Sequence, residues 1–362
     1  MEQMKRFIDC YIPVTTCNLR CSYCYITQTR KFKDKLPVFK YNAAHIKQAL
    51  SRERLGGICH FNFCGGGETL LPPEIIPITR ALLEEGHYIM IVTNGTASKR
   101  FDEYTRFPKE LLARLGFKFS FHYMELKRKN LLNKFFDNIQ KVRQAGCSFS
   151  VEITPYDELI PYIDEIKAIC VKRVGAYCHV TIARDESTVG DNKPILTRYS
   201  REEYKKIWGV FDSPLFDFKM SVFGVKRKEY CYAGVWSGIV DMGSGNFGQC
   251  YYTYFTQNIF EDLDKPIRWR AIGRNCLQPH CYNAHAFMTL GVIPSIETPA
   301  YALLRNRLCK DGTEWLTPEM KDFLSSKLEN THELKETNDS SLAYYPAVLK
   351  VKTKALLKKV LK

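Results

Sequence analysis

Between about Lys5 and Phe211 the sequence alternates short apolar runs with helical patterns and holds little else. The strand-like runs fall at 7–14, 58–63, 88–92, 117–122, 149–153 and 178–182. Helical patterns fill the gaps at 43–51, 73–85, 108–115, 131–145 and 159–174, and 204–211 closes the series. Six βα units in this order require a parallel sheet with right-handed crossovers, and six are too few to close an eight-stranded barrel. Gly86, Gly116, Gly146 and Gly175 stand where helix C-caps are expected. In barrels of this kind the reactive groups come from loops after the strands, at the C-terminal face.

Three of those loops carry chemistry. Just after the first strand, Cys17, Cys21 and Cys24 form a C-x3-C-x2-C triplet. Three thiolates are one short of the closed shell a structural zinc needs, whereas a 4Fe-4S cube on three cysteines keeps one iron open. A zinc ion completed by a distant ligand, such as Cys10 or a histidine, is the competing use. After the second strand comes Cys64-Gly65-Gly66-Gly67-Glu68-Thr69, where glycines let backbone approach a ligand; the plainer reading is a tight turn with an N-cap at Thr69. The third strand runs into Thr93-Asn94-Gly95, a turn with hydrogen-bonding side chains.

In these segments the chain resembles the radical S-adenosylmethionine (SAM) superfamily. The resemblance implies a partial (β/α)6 TIM-like barrel whose Cys17, Cys21 and Cys24 hold a 4Fe-4S cluster, with the amino and carboxylate groups of SAM on the open iron. It implies that Tyr23 lies near the adenine and that Gly66, Gly67 and Glu68 receive the ammonium of SAM. Thr93 and Asn94 would face the ribose and the methionine carboxylate, joined by Ser120. Arg184 would clamp that carboxylate, its alternative being an ion pair with Asp185 or Glu186. Catalytic candidates are His122, Glu152, Cys64 and Cys178; a lone strand histidine is commonly a satisfied core residue, and free cysteines commonly pack in cores.

Past Phe211 helices give way to short strands and a second cysteine set, Cys231, Cys250, Cys276 and Cys281. Thirteen residues separate Cys231 from Gly245 and four separate Gly245 from Cys250. This is similar to the opening of SPASM and twitch auxiliary-cluster domains, which implies a β-hairpin beside the barrel and a second, auxiliary 4Fe-4S cluster. Four residues part Cys276 from Cys281, where the family more often has two, and only Cys309 follows, which favours the shorter twitch form. A zinc ribbon is the competing use of these four thiols.

The activity implied is reductive cleavage of SAM to a 5′-deoxyadenosyl radical that abstracts hydrogen from a substrate carbon. Net oxidation follows if the auxiliary cluster takes the electron. Epimerisation, with Cys64 or Cys178 returning hydrogen, and peptide modification are the alternatives. A flavodoxin or ferredoxin would supply the electron. Few residues precede the first strand, which tilts the substrate toward a small molecule or glycan over a peptide.

Length and charge frame the organisation. The 362 residues divide as barrel 1–215, auxiliary domain 216–295, helical or linker region 296–340 and a basic amphipathic helix 341–362. Residues 328–341 are polar with no clear apolar face and read as linker. The net charge is +14, and a concentrated share of it, six lysines with no acidic residue, lies in 348–362, which suits an anionic membrane surface or an acidic partner. Basic residues there lack the interleaved aromatics of a nucleic-acid surface, so no nucleic acid is expected. No secretory signal or transmembrane run is evident, and fourteen cysteines suit metal chemistry in a reducing compartment. The expected location is cytoplasmic, with peripheral contact at the inner membrane face. A reading from another class is a non-catalytic zinc protein with a nucleic-acid-binding tail.

Overall fold

The computed structural model describes residues 2–188, 193–251, 255–274, 276–336 and Thr353. Six parallel strands follow one another as expected: β1 (Arg6–Ile12), β2 (Cys59–Gly65), β3 (Tyr88–Thr93), β4 (Leu115–Ser120), β5 (Ser148–Ile153) and β6 (His179–Val180). Most residues of β1 to β5 are buried, as befits a parallel sheet covered on both faces.

The sheet does not stop at six. Ser237–Asp241 forms β7, which runs parallel to β1 with Phe7 opposite Ser237 and Tyr11 opposite Asp241. β8 (Asn246–Gly248) and β9 (Thr256–Asn258) add antiparallel to it, giving one nine-stranded sheet in the order β6-β5-β4-β3-β2-β1-β7-β8-β9. The expected hairpin is therefore present, but it extends the barrel sheet from β1 instead of forming a separate domain beside it. At the hairpin turn Gly245 has φ +80°, and a Cβ there would lie 2.4 Å from Cβ of Phe260.

Several local expectations change for identifiable reasons. Gly116 is not a helix cap: it lies inside β4, packed so closely on Met90 that a Cβ would sit 2.2 Å from its sulfur. The helix before it accordingly shortens to Lys109–Leu112. Phe121 and His122 leave the strand and lead into the helix Tyr123–Arg128. The pattern at 159–174 divides into a 3-10 turn, Asp157–Tyr162, and the helix Ile163–Val174, because Pro161 brings no backbone N–H to an α-helix.

Residues 296–336 are packed, not a linker. Leu328 is fully buried and its N–H donates to the Leu290 carbonyl at 2.8 Å. Thr331 Oγ1 donates to the Met4 carbonyl at 2.9 Å, and the Phe323 ring stacks on Tyr88 at 3.6 Å. Trp315 donates from Nε1 to the Val174 carbonyl at 2.9 Å, and its own carbonyl accepts from Phe149 N at 3.0 Å. The basic helix expected at 341–362 lies outside the described residues apart from Thr353. Among the described residues no helix is long and apolar enough to cross a membrane.

Candidate functional site

Cys17, Cys21 and Cys24 open into a cavity of about 170 Å³ together with the 65–69 loop, Thr93, Asn94, Ser120 and His122. All of these follow, or end, one of the first four strands, so the sheet alone brings them together. Cys24 stands at the start of the short helix Tyr25–Gln28. Burial raises the Cys17 thiol to about 11 and pushes Cys21 higher.

The glycine run owes its composition first to loop packing. Gly67 N donates to the Val14 carbonyl at 2.6 Å and Glu68 N to the Thr16 carbonyl at 3.0 Å. A Cβ on Gly67 would fall 2.0 Å from that Thr16 oxygen. The loop is thereby fastened to the backbone that leads into Cys17.

Glu68 is also used internally. Its carboxylate, 2% exposed, accepts from Thr93 Oγ1 at 2.6 Å, Asn94 N at 2.7 Å and Leu70 N at 3.1 Å. Burial raises its pKa, opposed by those hydrogen bonds. The Asn94 amide in turn donates to Asn18 Oδ1 at 2.8 Å and approaches Cys17 Sγ at 3.7 Å. Glu68, Thr93 and Asn94, expected to spend their polar groups on SAM, thus hold the three loops in register. The rim they support remains as backbone and unused lone pairs.

Tyr23 departs from expectation. Its ring packs on Tyr156 at 4.4 Å and its hydroxyl shares a hydrogen bond with His122 Nδ1. It lines a different cavity, with Tyr156 and Asp157. Burial lowers His122 to about 4, so it is a neutral imidazole positioned by Tyr23. Cys10 is enclosed in the core on β1, so it does not complete a four-ligand site with the triplet.

Arg184 is not among the residues that line the triplet cavity. It lines a second cavity of about 480 Å³ after β6, pairs with Glu186 at 3.1 Å and lies over the Tyr282 ring at 5.5 Å. The ion pair is the alternative the sequence offered. Glu152 accepts from Arg305, a fully buried guanidinium, at 2.7 Å. Burial opposes its charge, but Arg305, Lys118 and Lys219 outweigh burial and hold it down at about 2, so it is no proton acceptor near neutral pH. Cys178 is fully buried in the core beside Cys170. Cys64 is only partly buried, and burial pushes its thiol up to about 12.

The second cavity holds residues the sequence reading passed over. Lys219, on the helix Pro214–Val222, donates from Nζ to Thr181 Oγ1. A lysine among Leu215, Phe216, Phe218, Met220 and Val222 was the available signal. Asp9 was missed as well: buried on β1, it accepts from Asn62 at 2.8 Å, Tyr251 at 2.7 Å and Asn283 at 3.0 Å. The last two bonds draw the segments after Cys250 and Cys281 onto β1.

All four later cysteines, Cys231, Cys250, Cys276 and Cys281, line one small cavity of about 60 Å³ among Ala233, Ile272, Phe287, Val292 and Ile293. Cys231 is anchored by paired backbone bonds with Gly273, at 3.1 and 2.9 Å. The unusual spacing of the closing pair does not keep Cys276 and Cys281 apart. Tyr251, His280, Tyr282 and Asn283 line both this cavity and the second one. Among the described residues no group of three or more His, Cys, Asp or Glu converges as a site for a single metal ion. A cube, whose cysteines each bind a different iron, asks for no such convergence.

Residues 11–159, which include the triplet, the glycine loop and the 93–95 turn, match the family model of the Radical SAM superfamily. Over these residues the chain is similar to radical SAM domains. The fold around it is similar to that of Streptococcus suis SuiB, with a TM-score of 0.51 and 14% identity over 73% of this chain and 66% of SuiB. A structure of SuiB bound to S-adenosylmethionine gives a TM-score of 0.50 and 14% identity over 72% of this chain and 65% of that one. The chain therefore spans just under two thirds of the SuiB length, and at this identity the likeness is one of fold. No curated protein matches the chain in sequence. Around the matched residues, the parallel-dominated α/β sheet agrees with the expected partial barrel.

Proposed function

We propose that the chain is a radical SAM enzyme that abstracts hydrogen from a substrate held between two iron-sulfur clusters, for a net oxidation. The observation that carries this reading is the single cavity shared by Cys17, Cys21, Cys24, the 65–69 loop and the 93–95 turn. Its donor set fits a three-cysteine cube: three thiols face it, Glu68 is committed to neighbouring loops, and no fourth cysteine is among its described lining residues. The four later cysteines fit an auxiliary cube, since they share an enclosed, mostly apolar cavity. When bound, a cluster with an open iron supplies one-electron cleavage of SAM, and a fully ligated one supplies an electron sink.

The chain's own residues bind, orient and exclude water. Glu68, Thr93 and Asn94 hold the triplet loop against the glycine loop, so that Gly66 and Gly67 present backbone to the methionine end of SAM. Ser120 offers a hydroxyl from the end of β4 to the ribose. His122 is fixed by Tyr23 and stays neutral. The second cavity, walled off from the auxiliary cysteines by Tyr251, His280, Tyr282 and Asn283, is the place for substrate. Binding there would bring substrate close to both cysteine sets, which is the proximity that radical chemistry needs. A small molecule suits a cavity of this size better than a folded partner.

The test is anaerobic purification and reconstitution, followed by iron, sulfide and zinc analysis and assay of 5′-deoxyadenosine release under a strong reductant. About eight irons per chain with release of the nucleoside is the expected result. About four irons with release would remove the electron sink and with it the oxidation. Stoichiometric zinc without release would replace the enzyme reading by a structural metal protein.

A further inference from the structure

The second cavity has a chemistry of its own. Arg184, Lys193 and Lys219 line it, and among its described lining residues the one carboxylate is Glu186, which is already paired with Arg184. That leaves two cations, Lys193, whose Nζ donates to the Thr188 carbonyl, and Lys219. The Lys219 nitrogen reaches a neutral hydroxyl, Thr181 Oγ1, and among the described residues no carboxylate lies within ion-pair distance of it. Glu152, the acid that acts on it most strongly, is bound to Arg305.

Two imidazoles complete the wall. His280, 3% exposed, has no hydrogen-bond partner for either ring nitrogen among the described residues, and His285 has none for Nδ1. Burying a polar group without a partner is costly, so two such imidazoles beside these cations suit a ligand that satisfies them. The groups on offer are an ammonium, a guanidinium and imidazole N–H donors. Their complement is a group with several acceptor oxygens and negative charge.

We infer that the second cavity binds its substrate through a carboxylate or phosphate group, gripped by Lys219 and Arg184 and hydrogen-bonded by His280 and His285. That the ligand is the substrate rests on the radical SAM reading; that an anion binds there does not. The cavity shares no lining residue with the one at Cys17, Cys21 and Cys24, and an anion that binds with SAM already present is a second one, distinct from the carboxylate of SAM. Gln28, on the short helix that follows Cys24, nevertheless donates from Nε2 to the Arg184 carbonyl at 3.1 Å, so an anchored substrate would lie next to the site of SAM cleavage.

The experiment is calorimetric titration of the anaerobically reconstituted full chain, with SAM present, using inorganic phosphate in one arm and succinate in the other. One anion per chain is expected, with the tighter arm naming the group. Lys219→Met should weaken it about tenfold or more, the loss of one charge-assisted hydrogen bond. Arg184→Met, whose side chain is 36% exposed, should weaken it likewise and serves if the Lys219 variant fails to fold by circular dichroism. Neither anion binding, or binding unchanged in the folded variants, overturns the inference. Nucleoside release, measured on the same wild-type preparation, keeps the two readings apart. Release without anion binding sinks only the anchor, and anion binding without release sinks only the enzyme.

Discussion

Glu152 stands at the carboxyl end of β5, where a catalytic acid or base was expected, and the cations around it make it a permanent anion instead. Its folded pKa, about 2, lies below the ordinary value of 4.5, so its contribution to stability is complete above about pH 4.5 and is lost as pH falls toward 2. Glu152→Gln leaves Arg305 buried without its counter-charge, which should cost about 3–5 kcal/mol. Urea unfolding at neutral pH reads that loss directly; a variant as stable as the wild type would show that the pair does not hold the barrel together. Lys219 behaves in the opposite sense. Burial lowers it to about 7, helped by Arg184, Arg305 and Lys118 and opposed by Glu152, while Glu186, Lys193, His280, His285, Tyr251 and Tyr282 share its cavity. An anion favours the protonated amine, so succinate affinity should be highest below pH 7 and fall by up to about tenfold per unit above it. Above pH 7 succinate and arginine keep their charges, and the Lys219→Met profile should be flatter. Equal slopes in the two proteins would remove Lys219 from the titration.

At the scale of elements, the 65–69 loop shows why a motif can be legible while its physics is not. Three glycines and a glutamate suggest ligand contact, yet the tightest approach at Gly67 is to Thr16 backbone, which cannot give way. Gly67→Ala should therefore spread the two loops, lower the iron retained on the triplet and reduce thermal stability. Wild-type iron content together with a wild-type melting temperature would show that the loops are not so closely joined. The same contrast runs through the fold. The βα repeat was legible because apolar runs and helical patterns are local, and Gly86, Gly146 and Gly175 do adopt the positive φ their positions suggested. Gly116 misled because a glycine chosen for close packing on Met90 reads like one chosen for a cap. The triplet and the later cysteines were legible from spacing. The anion cavity was not, since Thr181, Arg184, Lys219, His280 and His285 come from separate segments that only tertiary packing joins. The packing of Leu328 was hidden in the same way, one apolar residue in a polar stretch finding its partner across the molecule.

At the scale of the whole molecule, the boundary suggested near residue 215 cuts through a single structure. β7 hydrogen-bonds along five residues of β1, which places a later segment beside a strand at the middle of the sheet. Asn283 and Tyr251 satisfy the buried Asp9 on β1, Arg305 neutralises Glu152 on β5, and Trp315 bonds to the β5 residue Phe149. Without these partners a 1–215 fragment would bare an unpaired edge on β1, leave the buried Asp9 and the partly buried Glu152 short of partners and expose the apolar faces of Tyr88 and Phe149. An exposed strand edge recruits other chains, and unpaired buried charge is among the most destabilising changes a fold can suffer. The fragment should therefore be insoluble, or soluble without a cooperative thermal transition, although it contains the whole of the radical SAM match. The intact chain should unfold with its tryptophan fluorescence and far-ultraviolet dichroism in step, because Trp208 reports on the barrel side and Trp236 on the appended side of the same sheet. A soluble, cooperatively melting 1–215 fragment would restore the separate-domain organisation. It would also mean that the contacts from Asn283, Arg305 and Trp315 position the second cavity without supporting the barrel.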